Sequence, residues 1–303
     1  MANSFRMNGN NYEIGFTDSK NRKHKLTLAS IGSSIRKYTI DNLDIVVPYN
    51  ADEMPNYFQG QVLFPWPNRL EDGKYEFEGT SVNADINERD KNNQLHGLSP
   101  LYSFDLIDKD ENWIKMGLQL PPSRNYPFMI RVEILYTLTD KGLEIKTFAK
   151  NEGEKNAPFA LGWHPWFSPR GSLDSCSLHF KAESYIYSDS RLLPAKEGEV
   201  PTTFDFSTEK SLQDISLDDA FANVAENKVS FKAADGHITT IQADENYKAF
   251  QICSADFAEG ADHRFGLAIE PMTAWANAFQ THKNLIIIKP GQTINNSWRI
   301  LFI

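Results

Sequence analysis

The chain has 303 residues, 41% of them hydrophobic and 23% charged, with a formal net charge of -9. This composition is ordinary for a globular protein, and the length admits two domains or one large all-β unit. The negative balance gives no general attraction for nucleic-acid phosphates or anionic lipid, and no apolar run approaches a membrane span, so neither partner is expected. Cys176 and Cys253 are too few for a secreted disulfide scaffold, although one bridge between them stays open. MANSFRMNGNNY lacks the apolar core of a signal peptide, and the expected location is cytoplasmic.

Taken in chain order, the segments read as strands. NYEIGF, KLTLASIG and NLDIVVPY are short, rich in β-formers and closed by turn residues. FPWPNRLEDG follows, a stiff aromatic loop that ends in a guanidinium at Arg69, just after Trp66 and two prolines. YEFEG comes next, and NNQLHGLSP sets His96 between Leu95 and Gly97. MIRVEILYTLTDKGLEIKTFAKN alternates cleanly, with Val132, Ile134, Tyr136 and Leu138 on one face and a turn at Asp140-Lys141-Gly142, which predicts a hairpin. FALGWHPWFSP holds His164 between Trp163 and Trp166, and FGLAIEPMTAWANAF ends an apolar strand at Glu270.

No segment of a dozen residues carries a 3.6-residue stripe; LQDISLDDAFAN has room for one helical turn. About a dozen or more strands with close-set turns predict an all-β fold, a large antiparallel β-sandwich, as one domain over 1–303.

Seven histidines occur. His24, His179, His237, His263 and His282 lie in charged, turn or strand-start segments and are expected to be solvated. His96 and His164 stand next to apolar or aromatic residues and a chain breaker, where a rigid sheet presents site residues. In FGLAIEP, Phe265, Leu267 and Ile269 are expected in the core, which turns Glu270 to the face shared with Gly266 and Ala268. A carboxylate with small neighbours has room for a reacting group, so Glu270 is a candidate general base. Trp66, Trp163, Trp166 and Trp275 crowd these same segments, four of six tryptophans. Aromatic faces pack on the C–H face of a sugar while Arg, Asp and His satisfy its hydroxyls.

Five motifs in order, NRLEDGKYEFEG, NNQLHG, GWHPWF, LDDAF and GLAIEP, resemble the aldose 1-epimerase (galactose mutarotase) family. The resemblance implies a galactose mutarotase-like sandwich with a monosaccharide on its concave sheet face, and no cofactor or metal. It implies Arg69 and Asp218 as sugar-binding residues, His96 as a second contact that polarises the ring oxygen, His164 as general acid and Glu270 as general base. Trp66 and Trp166 are the candidates for stacking on the sugar. Asp219 adjoins Asp218, so this assignment is open to a slip of one. Trp166-Phe167-Ser168 and Pro271-Met272-Thr273 depart from the family's pattern, which marks a divergent branch.

The expected activity is interconversion of the anomers of a hexose, with the chain a monomer or homodimer. The alternatives are a hexose-6-phosphate 1-epimerase, with Arg36, Arg89, Arg124 and Arg170 as phosphate candidates, and a non-catalytic carbohydrate-binding protein. Two further readings of the same residues are a His₂Glu metal hydrolase and a glycosidase using Glu270 with Asp218.

Overall fold

The computed structural model describes residues 6–302. Its architecture is all-β, and every strand pairing given by the sheets is antiparallel. A four-stranded sheet at the N-terminal end takes Asn11–Thr17, Lys23–Ala29, Ser34–Ile40 and Leu43–Asp44. A nine-stranded sheet is built around the predicted hairpin, Ile130–Thr139 with Gly142–Asn151, whose second strand pairs with the C-terminal strand Thr293–Phe302. The even positions of the hairpin's first strand are buried and the odd ones half-buried, as strict alternation on a one-sided sheet requires.

An eight-stranded sheet carries the chemistry. Along it run Pro194–Gly198, Ala182–Ser188, Asp218–Val224, Ala249–Cys253, Leu267–Met272, Gly162–Trp163 and Val62–Leu63, with Trp166–Phe167 also paired to Leu267–Met272. On its inner face Phe221, Phe250, Ile252, Leu267 and Ile269 join a continuous core with Val132, Ile134, Tyr136, Ile145 and Trp298 of the nine-stranded sheet. The two sheets are thus the layers of the sandwich.

Two local expectations are corrected and one open point is settled. LQDISLDDAFAN contributes the strand Asp218–Val224 rather than a helical turn, and the one α-helix among the described residues is Ala278–Thr281. Phe265 precedes its strand, which begins at Leu267, and packs on Trp166 instead of entering the main core. Both cysteines are free and buried. Among the described residues no helix is long and apolar enough to cross a membrane.

Candidate active site

The outer face of the eight-stranded sheet is assembled by strand register. Gln251 stands opposite Glu270, and Cys253 opposite both Ala268 and Asp218. Because side chains alternate, Asp218, Gln251 and Glu270 share the face away from the core, with Ala220, Ala222, Ala249 and Ala268 between them. The alanines leave a floor from which three polar side chains project.

His164 reaches this floor through a break in pairing. Gly162 pairs with Met272, and Trp166 and Phe167 pair with Ala268 and Leu267. Proline has no N–H to continue the ladder, so His164-Pro165 interrupts it opposite Glu270. The His164 N–H donates to Gln61 O (3.0 Å) and its carbonyl accepts from Gly60 N (2.9 Å), which fixes the backbone. Its Nε2 then lies 3.3 Å from Glu270 Oε1. Trp163, one residue earlier, faces the core against Trp298 and Tyr136. Trp166 lies beside the imidazole at a ring distance of 5.5 Å, its indole N–H donating to Tyr57 O.

Arg69 and His96 come from a separate pair of short strands, Arg69–Glu71 and Asn93–Leu95. Asn68, just before the first strand, and His96, just after the second, bond reciprocally: His96 N donates to Asn68 O (2.8 Å) and Asn68 N donates to His96 Nδ1 (3.1 Å). This second bond requires an unprotonated Nδ1, so neutral His96 carries its proton on Nε2. Gly97 allows the approach, since a Cβ there would sit 2.5 Å from Phe64 O. Arg69 forms a two-pronged pair with Glu88, Nε to Oε2 at 2.9 Å and Nη2 to Oε1 at 2.8 Å.

These groups line one cavity of about 390 Å³ that contains Arg69, His96, His164, Trp166, Asp218 and Glu270. Six of the seven expected site residues therefore meet. Trp66 does not: its ring fills the core against Tyr75 and Phe279, and its N–H finds Gln94 there. It supports the Arg69 segment from the core side. Asp219 is held by the Tyr185 hydroxyl and accepts from Asp218 N, while Asp218 accepts from Gln251 Nε2 (2.8 Å) beside the cavity. Of the four phosphate candidates none lines the cavity: Arg36 donates to Tyr49 O, Arg124 pairs with Asp85, Arg170 with Asp235, and Arg89 is exposed.

Sequence reasoning missed four contributors. Gln251 and Asn68 link the sheet to the loop, with Asn68 Nδ2 donating to Gln251 Oε1 (3.3 Å). Glu88 holds Arg69, and Asn93 Nδ2 holds Glu88 (3.0 Å).

The electrostatics oppose charge at the floor. Burial raises Glu270 well above the usual carboxylate range, the Asp218 carboxylate adds to this, and Arg69 works against it. Burial pushes His164 down to about 3 and also lowers His96, where His164 and Arg69 add to the effect. Burial thus disfavours the charged form of both members of the His164–Glu270 pair. His164 Nδ1 and Glu270 Oε2 are buried without a hydrogen-bond partner.

Comparison with known proteins identifies the family and the fold. The family model described as aldose 1-epimerase covers residues 15–300, and the chain belongs to that family. A relative in Escherichia coli (strain K12), the protein YihR, is 27% identical over 277 residues, covering 88% of this chain and 86% of the other. The crystal structure of the GalM/aldose epimerase homologue from C. elegans superposes with a TM-score of 0.85 at 17% identity, over 97% of this chain and 99% of that one. Galactose 1-epimerase from Lactobacillus acidophilus NCFM gives 0.78 at 16% identity, over 97% and 98%. At such identities the likeness establishes the fold.

Proposed function

We propose that this protein is an aldose 1-epimerase that interconverts the α and β anomers of a hexose by acid–base ring opening. The observation that carries the reading is the buried His164–Glu270 pair on the lining of the cavity, Nε2 3.3 Å from Oε1, with Arg69, His96 and Asp218 on the same lining. The reading requires one proton on the pair. In the reactive tautomer the proton sits on His164. Glu270 removes the proton from the C1 hydroxyl as His164 delivers its own to the ring oxygen. C1–O5 breaks while C1=O1 forms, the aldehyde end rotates, and the same transfers run in reverse on the other face. His96 presents Nε2–H as a fixed donor toward the ring oxygen, and Arg69 and Asp218 hold the hydroxyls. The Trp166 and Phe58 rings flank the two histidines and exclude water.

Four carboxylates line the cavity, Glu88, Asp90, Asp218 and Glu270, against Arg69 and Lys91. Arg69 is already forked on Glu88, and Lys91 lies 3.4 Å from Asp90. This balance favours an aldose without a phosphate.

A metal site is the second reading, because His96, His164 and Glu270 offer ligand atoms within 4.8 Å of one another. Against it stands the His96 tautomer: a metal-bound imidazole donates its second N–H, whereas His96 Nδ1 accepts one. The deciding experiment follows freshly dissolved pure anomers of several aldoses and aldose 6-phosphates by NMR, before and after exhaustive chelation. Catalysed exchange that survives chelation is expected. Exchange lost on chelation and restored by zinc favours the metal reading, and binding without exchange favours a carbohydrate-binding protein.

A further inference from the structure

The two short strands that deliver Arg69 and His96, Arg69–Glu71 and Asn93–Leu95, form a two-stranded sheet of their own. Their place beside the floor therefore rests on bonds outside any large ladder. At one end Asn68 Nδ2 reaches Gln251 Oε1 (3.3 Å). At the other end stands Arg191, whose guanidinium is turned away from the cavity.

Arg191 lies in the turn between Ala182–Ser188 and Pro194–Gly198, the outermost hairpin of the eight-stranded sheet. Asp189 Oδ1 fixes that turn by accepting from Arg191 N (2.8 Å) and Leu193 N (3.0 Å). The guanidinium then spans the gap to the short strands. Its Nε donates to Lys91 O (2.9 Å) and its Nη1 to Glu71 Oε1 (3.1 Å). Its Nη2 meets Asp72 Oδ1 (2.7 Å), Asn92 O (2.9 Å) and Asn93 Oδ1 (3.2 Å). All five acceptors belong to the end of the first short strand and the start of the second. The planar fork of an arginine suits such a junction, where a lysine offers only a point charge. The bond from Arg191 holds the Asp72 carboxyl below the usual carboxylate range.

The path inward runs through Asn93, which is wholly buried. Its Oδ1 accepts from Arg191 Nη2, and its Nδ2 donates to Arg191 O (3.1 Å). One residue thus reads both ends of the amide and fixes which way it faces. In that orientation Nδ2 also donates to Glu88 Oε2 (3.0 Å), and the Glu88 backbone bridges to Asn93. Turned over, the amide would set an acceptor against a carboxylate and loosen the Glu88 that forks Arg69.

We propose that Arg191 is a positioning residue for the sugar site, setting the Arg69 guanidinium from outside the cavity through Asn93 and Glu88. This rests on the aldose 1-epimerase reading. Arg191 itself touches no reacting atom.

The test follows anomer exchange by NMR in the parent, Arg191→Ala, Arg191→Lys and Arg124→Ala. The last removes an exposed arginine of the same charge, paired with Asp85. Arg191→Ala is expected to raise KM about tenfold, as displacement of a sugar-holding group implies, with kcat within a few-fold of the parent. Arg191→Lys keeps the charge without the fork and should stand near the alanine variant. Guanidinium chloride at a non-denaturing concentration should return the alanine variant toward the parental KM, where sodium chloride of equal strength does not. Arg124→Ala should match the parent. A parental KM in folded Arg191→Ala, or a raised one that guanidinium leaves in place, overturns the proposal. Where the alanine variant does not fold, the KM of Arg191→Lys decides in the same way.

A second readout needs no sugar. The Arg69 Nε–H resonance, assigned by its loss in Arg69→Lys, should shift and exchange faster with water in both Arg191 variants. If no sugar exchanges at all, the epimerase reading fails by itself. This resonance then judges Arg191, and an unmoved signal overturns the proposal.

Discussion

Two buried histidine–carboxylate pairs stand in opposite surroundings in this molecule. His24 Nε2 lies 3.3 Å from Asp18 Oδ2, the same separation as His164 Nε2 and Glu270 Oε1. Around Asp18, however, every valence is used: its oxygens accept from Lys20 N, Arg22 N and Arg22 Nε, and His24 Nδ1 meets the Tyr38 hydroxyl at 2.9 Å. These partners hold the Asp18 carboxyl well below its ordinary value despite its burial. Glu270 has no such donors and moves the other way. Distance and burial do not distinguish the two pairs; the count of satisfied atoms does.

The comparison breaks most sharply at Glu270. Glu270→Gln keeps the side chain's size and removes its basicity, so exchange at saturating sugar should fall on the order of 10²-fold or more while calorimetry still detects binding. His164→Asn should act alike, and the double variant should cost less than the sum of the two if they work as one unit. Parental exchange in Glu270→Gln would move the base elsewhere, first to Asp218. Asp18→Asn should do the reverse. Breaking a buried, charge-assisted cluster costs about 3 kcal/mol, roughly a hundredfold in the folding constant, and should appear in denaturant melts with kcat unchanged.

The pH profile sharpens the same contrast. In the proposed mechanism the pair carries one proton, and burial resists a second by pushing His164 down to about 3. The acid limb of kcat/KM should therefore lie below the ordinary imidazole value of about 6.5. The raised Glu270 keeps the remaining proton on the pair above the usual carboxylate range. An acid limb centred at 6.5 would mean that the histidine titrates as an exposed group.

Arg69→Lys keeps the charge but loses the fork on Glu88, and sugar binding should weaken about tenfold. The smallest effect is expected at Gln251→Leu, which frees Asp218 and Asn68 together. KM should rise a few-fold with kcat nearly unchanged, and a large loss of kcat would instead place Gln251 among the reacting groups.

Much of this was legible locally. Alternation along Leu267–Met272 already turned Glu270 away from Leu267 and Ile269, and Pro165 marked where pairing near His164 must lapse. Failures came where partners lie far apart in the chain. His24, in DSKNRKHK, looks solvated until strand pairing brings Tyr38 to its ring. Trp66 sits in a run of site residues, yet Gln94 and Phe279 claim it for the core. Asp218 and Asp219 cannot be ranked by neighbours in sequence, because Tyr185 and Gln251 choose between them. Glu88's hold on Arg69 is likewise a pairing of side chains that no spacing rule encodes.

The break at His164-Pro165 has a consequence for motion. The segments on either side of it are both clamped to the strand that carries Glu270, and that strand is paired on its other edge to Ala249–Cys253. The proposed acid and base are therefore carried by one cooperative unit, and amide protons along Leu267–Met272 should be among the slowest in the molecule to exchange with deuterium. Warming loosens rim loops long before it changes the separation of the two reacting groups. Anomer exchange measured against temperature should keep rising until the whole sheet melts, then stop with it.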